Sequence, residues 1–261
     1  MIQQEEERFL AMGRRLGFLS EAQIAQARSL SLQSSRKQKT PMPFLLLEMG
    51  HLDTEQIDRI LEELIRWVDA TVERADQLRT DRQYTRAIKK YSKVLQAQPE
   101  REHAYWHRAH ACVQIKHFEE ALADYNRLLE ISDKQALAFN RRGLVLFCLG
   151  RVDEAIDSQN QAIELNSKMA QAYFDRGTCF HRKKSFQNAI QDYTEAIQLD
   201  DQYIEAFNNR AIAYLMCRQT ENSRNDWNKA IEIDNRRSTI RHNLTVLLKK
   251  LGGKGPGDSP G

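Results

Sequence analysis

Tyr84-Thr85-Arg86-Ala87-Ile88, Phe118-Glu119-Glu120-Ala121-Leu122, Val152-Asp153-Glu154-Ala155-Ile156 and Phe186-Gln187-Asn188-Ala189-Ile190 are one pattern written four times. Their alanines stand 34 residues apart, and the next step lands on Ser223. Twelve residues before each alanine stands a small residue: Ala75, Ala109, Gly143, Gly177 and, before Ser223, Ala211. Four residues after come Tyr91, Tyr125, Gln159, Tyr193 and Trp227; seven after come Val94, Leu128, Ala162, Ala196 and Ala230. Apolar residues fall at helical spacing on both sides of a short polar turn such as Leu149-Gly150-Arg151. Each unit therefore reads as a pair of helices, with the small residues placed where the two backbones cross. A single pair cannot bury its apolar face alone, so successive pairs must stack.

Composition agrees. The chain has 261 residues, 41% hydrophobic and 29% charged, with only 11 Gly and 5 Pro. That excludes disorder throughout and favours helix. The longest apolar run, Ala211 to Cys217, is far short of the roughly 20 residues that span a bilayer. No membrane insertion is expected. The opening residues, with Glu5 to Glu7, carry no secretory or transit pattern, and the four cysteines are scattered without a C-x-x-C. A cytoplasmic setting is the expectation. The 39 basic and 36 acidic residues are intermixed, which gives no footprint for nucleic acid.

A 34-residue helix-turn-helix with small, aromatic and small residues in this order resembles the tetratricopeptide repeat (TPR). The resemblance implies an all-α, right-handed superhelix of five repeats over 68–237 (68–101, 102–135, 136–169, 170–203 and 204–237). The stripe Ile240, Leu244, Leu247 and Leu251 then reads as a capping helix over 238–251, and 252–261 as a flexible tail.

Residues 1–67 form a separate helical module. Leu16-Gly17-Phe18-Leu19-Ser20-Glu21-Ala22-Gln23-Ile24 is echoed by Met49-Gly50-His51-Leu52-Asp53-Thr54-Glu55-Gln56-Ile57, 33 residues on. Each copy reads as a helix, a glycine stop, a Ser or Asp cap and a new helix. Between them, Ser29 to Pro43, with Arg36, Lys37 and Lys39, reads as a linker. The doubled pattern resembles the N-terminal module of bacterial type II secretion and pilus ATPases. That resemblance implies a bacterial docking module for a second protein partner, and as an alternative to a plain adaptor, a regulatory component of a kinase or of a secretion or pilus assembly. Some members bind cyclic di-GMP through Arg-Leu-Gly. Here the corresponding places read Phe9-Leu10-Ala11 and Met42-Pro43-Phe44, so no nucleotide is expected.

No phosphate-binding loop, dinucleotide fingerprint, nucleophile elbow or H-E-x-x-H occurs, so no catalytic residue and no cofactor is expected. His103, His107 and His110 share one helical face and could chelate zinc or copper. No carboxylate or thiolate on that face completes a shell, so they read as groove-lining imidazoles, with a metal-binding protein as the alternative. Arg74, Arg108, Arg142, Arg176 and Arg210 form a ladder beside the small residues, with Asp124, Asp192 and Asp226 as partners. Guanidinium groups so near a helix crossing must be paired or reach outward.

In the TPR architecture the first helix of each pair lines the concave face. The family geometry then implies a peptide groove of Trp106, His110, Asn140, Leu144, Phe147, Phe174, His181, Asn208, Ile212 and Leu215, with Thr178 between them. Asn140 and Asn208 would pair with a peptide backbone, and the aromatics would receive apolar side chains. The carboxylate clamp of chaperone-binding TPRs is not met, since Val72 and Asp76 stand where lysine and asparagine are expected. The function expected is a non-enzymatic scaffold that binds a partner peptide.

Overall fold

The computed structural model describes residues 2–33, 41–234, 236 and 238–250. The fold is all-α, with fourteen helices and no strand among the described residues. Leu251, the 252–261 tail and the basic centre of the expected linker lie outside them. Two compact units form, Met1–His117 and Phe118–Gly261.

In the first unit, α1 (Ile2–Arg15), α2 (Glu21–Gln33), α3 (Met42–Glu48) and α4 (Thr54–Thr80) precede α5 (Tyr84–Ala97) and α6 (Glu102–Gln114). The doubled motif acts as a pair of stop–start signals. Gly17 and Gly50 adopt positive φ (76° and 67°), where a side chain would be strained, and end α1 and α3. The glutamine of each copy closes a capping box. Asp53 Oδ1 accepts from Gln56 N at 2.7 Å, while Gln56 Oε1 accepts from Asp53 N at 3.0 Å. Ser20 and Gln23 make the same exchange at 3.3 and 2.9 Å. Losing the cap in Asp53→Ala should cost about 1 kcal/mol, read as a lower thermal midpoint of the full chain. An unchanged midpoint would show that the box does not hold α4's start.

The linker is shorter than Ser29 to Pro43. α2 runs on to Gln33, and α3 begins at Met42 with Pro43 in its first turn, where a missing N–H leaves no bond unmade. The 67/68 boundary also falls inside a helix, because α4 is 27 residues long and passes through it unbroken. Phe9, Leu10, Leu19, Ile24, Leu46 and Ile60 form the core around its first half. Val72, Ala75, Leu78, Ala87, Tyr91 and Val94 form the core around its second half, and Trp67 packs against both.

The second unit holds α7 (Phe118–Ile131), α8 (Ala136–Cys148), α9 (Val152–Leu165), α10 (Ala170–Arg182), α11 (Phe186–Leu199), α12 (Ile204–Met216), α13 (Thr220–Ile233) and α14 (Ser238–Lys250). Neighbouring helices pack in chain order, as stacked hairpins must. The repeat positions behave alike in both units. Ala75, Ala109, Gly143, Gly177 and Ala211 are buried, as are Ala87, Ala121, Ala155, Ala189 and Ser223. A Cβ at Gly177 would stand 2.9 Å from the Tyr193 ring, so glycine here is what lets the helices meet. Ile240, Leu244 and Leu247 of α14 close the last hairpin against Phe207 and Trp227.

The turn inside each hairpin repeats too. Arg82, Lys116, Gly150, Lys184 and Arg218, 34 residues apart, all have positive φ, between 58° and 79°. The next residue's N–H reaches back five residues to close the helix, as Gln83 does to Leu78 O at 2.8 Å and Ser185 to Phe180 O at 2.9 Å. Four of these strained places hold a cation, which answers the negative end of the helix dipole.

The arginine ladder is structural at Arg176 and Arg210. Arg176 grips Asp192 with two bonds of 2.9 and 2.7 Å, and Arg210 grips Asp226 with two of 2.8 Å. Arg142 has Ser158 in the aspartate's place, with an Nε–Oγ bond of 2.7 Å. These arginines also lie over Phe139, Tyr173 and Phe207 at 5.0–5.7 Å.

Candidate concave-face site

In the second unit α8, α10 and α12 are the first helices of three successive repeats. Between them lies a pocket of about 160 Å³ lined by Gly143, Leu144, Phe147, Gln159, Phe174, Asp175, Thr178, Cys179 and Asn209. Its walls are apolar, and Phe174 is braced by Tyr193 and Tyr203 at ring distances of 5.7 and 4.9 Å. Two of its lining residues, Gln159 and Asp175, belong to a chain of polar contacts that runs behind it. The Tyr203 hydroxyl donates to Gln171 Oε1 at 2.7 Å, and Gln171 Nε2 donates to Asp175 Oδ1 at 2.8 Å. Asn140 Nδ2 donates to Asp175 Oδ2 at 2.7 Å and to Gln159 Oε1 at 3.0 Å; Gln159 Nε2 returns a bond to Asn140 O at 3.2 Å.

Burial pushes the Asp175 carboxyl upward, while its bonds from Asn140 and Gln171 and the charge of Arg141 pull it back. Burial also raises the Cys179 thiol to about 12, helped by Asp175 and Asp192, so it is an inert wall rather than a nucleophile. Tyr203 is raised by burial and by Asp175, and its hydroxyl stays a donor.

Leu144, Phe147 and Phe174 of the expected groove meet in this pocket, with Thr178 beside them. Both asparagines require a correction. Asn140 is 0% exposed and its amide serves Asp175 and Gln159, so it cannot meet a peptide backbone. Asn208 is half-buried and equally committed. Its Oδ1 accepts from Trp227 Nε1 at 3.1 Å and from Asn243 Nδ2 at 3.3 Å, and its Nδ2 donates to Asn209 at 3.1 Å. The physical reason is shared: a position that faces the next repeat loses water, and a buried amide must then find protein partners. Ile212 packs into the last core cluster, Leu215 is on the surface, and His181 sets its ring edge-on to Phe186 at 5.3 Å, all outside the pocket. Trp106 and His110 are half-buried on α6 in the first unit.

Asp175, Asn209 and Gln159 were missed. Gln159 carried a readable signal, because it stands where the other repeats have an aromatic ring. A polar residue at a core position asks for a polar partner, and Asn140 is that partner.

The histidine stripe divides. His103 and His107 lie with ring centres 4.3 Å apart, and Asp76 of α4 joins them, its Oδ2 3.6 Å from His103 Nε2. One ligand atom from each of the three lies within 4.8 Å of the others. Asp76 Oδ1 accepts from the Tyr91 hydroxyl at 2.6 Å, and the Tyr91 ring stacks on His107. Burial, with His103 and Arg79 adding to it, lowers the His107 imidazole to about 4, so it is neutral. The expected groove-facing stripe holds no carboxylate of its own, and the one that reaches it, Asp76, arrives from a different helix. His110 takes no part in the cluster.

No helix among the described residues is long and apolar enough to cross a membrane. A family model described as tetratricopeptide repeat matches residues 72–136, 118–170 and 140–204, which together cover more than half of the chain. Among solved structures, a MamA protein is 23% identical over 66% of this chain and 94% of its own, with a TM-score of 0.60. YrrB, described as a TPR protein with an unusual peptide-binding site, is 22% identical over 66% of this chain and 89% of its own, at 0.57. MamA from Desulfovibrio magneticus RS-1 is 12% identical over 66% and 97%, at 0.62. Identities this low speak to the fold alone. No curated protein sequence matches the chain.

Proposed function

This chain belongs to the tetratricopeptide repeat family, and from that premise we propose that it is a non-enzymatic scaffold that holds a partner peptide on the concave face of α8, α10 and α12. The pocket among those helices carries the reading. At about 160 Å³ it is well below the roughly 300 Å³ at which small-molecule sites begin, which suits one apolar side chain of a larger partner. YrrB's described peptide-binding site is in keeping with this use of the fold.

Asp175 in the pocket lining shapes the choice of ligand. Each of its oxygens already accepts one bond and has room for another, so it favours a donor beside the apolar anchor and repels a carboxylate. The peptide is therefore extended or helical with an internal apolar anchor, not a free acidic C-terminus. The N-terminal module is proposed to dock a second protein, in line with its resemblance to secretion and pilus ATPase modules. The exposed Phe44, and the exposed Ile65 that lines an apolar pocket with Phe9, Met42, Leu61 and Leu64, support that role.

Peptide display against the full chain tests the groove. Selected peptides should carry an apolar anchor, and Leu144→Ser and Phe147→Ala should each weaken them about tenfold or more, the usual cost of losing an anchor. Selected peptides that bind both variants at full strength would place recognition elsewhere.

A further inference from the structure

We propose that Asp76, His103 and His107 form a zinc site that ties α4 to α6, the first helices of the first two repeats. Two imidazoles four residues apart on α6 present nitrogens on one side of the helix, and α4 brings a carboxylate up to them. The three atoms lie within 4.8 Å of one another, and the His103–Asp76 pair at 3.6 Å is close to the spacing of two ligands on one ion bound at about 2.0–2.2 Å. His103 is exposed and free to turn the remaining distance.

The surroundings are arranged as a metal ligand needs. The Tyr91 hydroxyl holds Asp76 Oδ1, which leaves Oδ2 directed at the histidines, and the same tyrosine ring stacks on His107. An outer hydrogen bond of this kind orients a ligating carboxylate before the ion arrives, and the stacked ring limits how far the imidazole can turn. Arg79 opposes the site: its Nε is 3.9 Å from Asp76, but on the Oδ1 side that Tyr91 already occupies. Two histidines and one carboxylate leave a fourth position for water or a partner's side chain. His110 is not a ligand.

The test uses the full chain without a tag, stripped by chelator and titrated with zinc alone in a calorimeter. One ion per chain is expected. Affinity should fall at least tenfold in Asp76→Asn, His103→Gln and His107→Gln, and should be unchanged in His110→Gln. His107 is packed against Tyr91, so circular dichroism accompanies each variant; His103→Gln, at the exposed place, decides the matter if His107→Gln unfolds. No stoichiometric binding, or binding that survives Asp76→Asn, or an equal loss in His110→Gln, overturns the site.

Discussion

Tyr193→Ala is expected to destabilise the second unit by about 3–5 kcal/mol, the cost of deleting a fully buried aromatic ring. The ring fills the space opposite Gly177, where neither backbone offers a side chain to replace it. It also braces Phe174, so the pocket wall should loosen with it. Tyr193→Phe isolates the hydroxyl, whose bond to Thr178 is long at 3.3 Å, and should cost less than about 1 kcal/mol. Urea unfolding followed by circular dichroism measures both. A loss below 1 kcal/mol for the alanine variant would mean that the hairpin is not packed around this ring.

Asp226→Ala should be nearly as damaging, about 3–5 kcal/mol, because it strands the Arg210 guanidinium between helices. The pair's side chains are only 14% and 9% exposed, so water cannot take the aspartate's place. Arg210 would keep only its bond to Thr194 and the faces of Phe207 and Tyr214. The double variant Arg210→Met/Asp226→Leu removes both charges and should recover most of the loss, since a buried pair is costly to break but replaceable by apolar groups. If the double variant is as unstable as the single one, packing rather than the stranded charge is responsible.

The repeat was legible because its determinants are local and recur. Small residues, alanines and rings keep a 34-residue step, broken only by Gln159 and Ser223, and each position is buried where the pattern puts it. The capping of α2 and α4 was legible for the same reason, since cap and glutamine lie three residues apart. What a helix faces across a gap was not. Asn140 looked like a groove residue by its place in the repeat, but its surroundings depend on Gln159, 19 residues later, and Asp175, 35 residues later. Asp76 escaped notice as a partner of His103 and His107 because a stripe drawn on one helix contains nothing of its neighbour. The continuity of α4 was hidden as well. Two motifs of different character meet at Trp67 and Val68, and helix propensity carries the backbone through without a glycine or proline to stop it.

That continuity governs how the chain can be taken apart. α4 is a rod of about 40 Å shared by the N-terminal module and the first repeat. A cut at 67/68 would leave raw ends on both fragments, each with carbonyls or amides stripped of their helical partners, and would split Trp67 from the core on one side. There is no hinge at that point on which the module could swing. Fragments meant to keep the module whole must therefore carry the first hairpin with it, and a tilt imposed on the module is delivered to Asp76 as a turn of the same shaft, and from Asp76 to the Tyr91 hydroxyl bonded to it on α5.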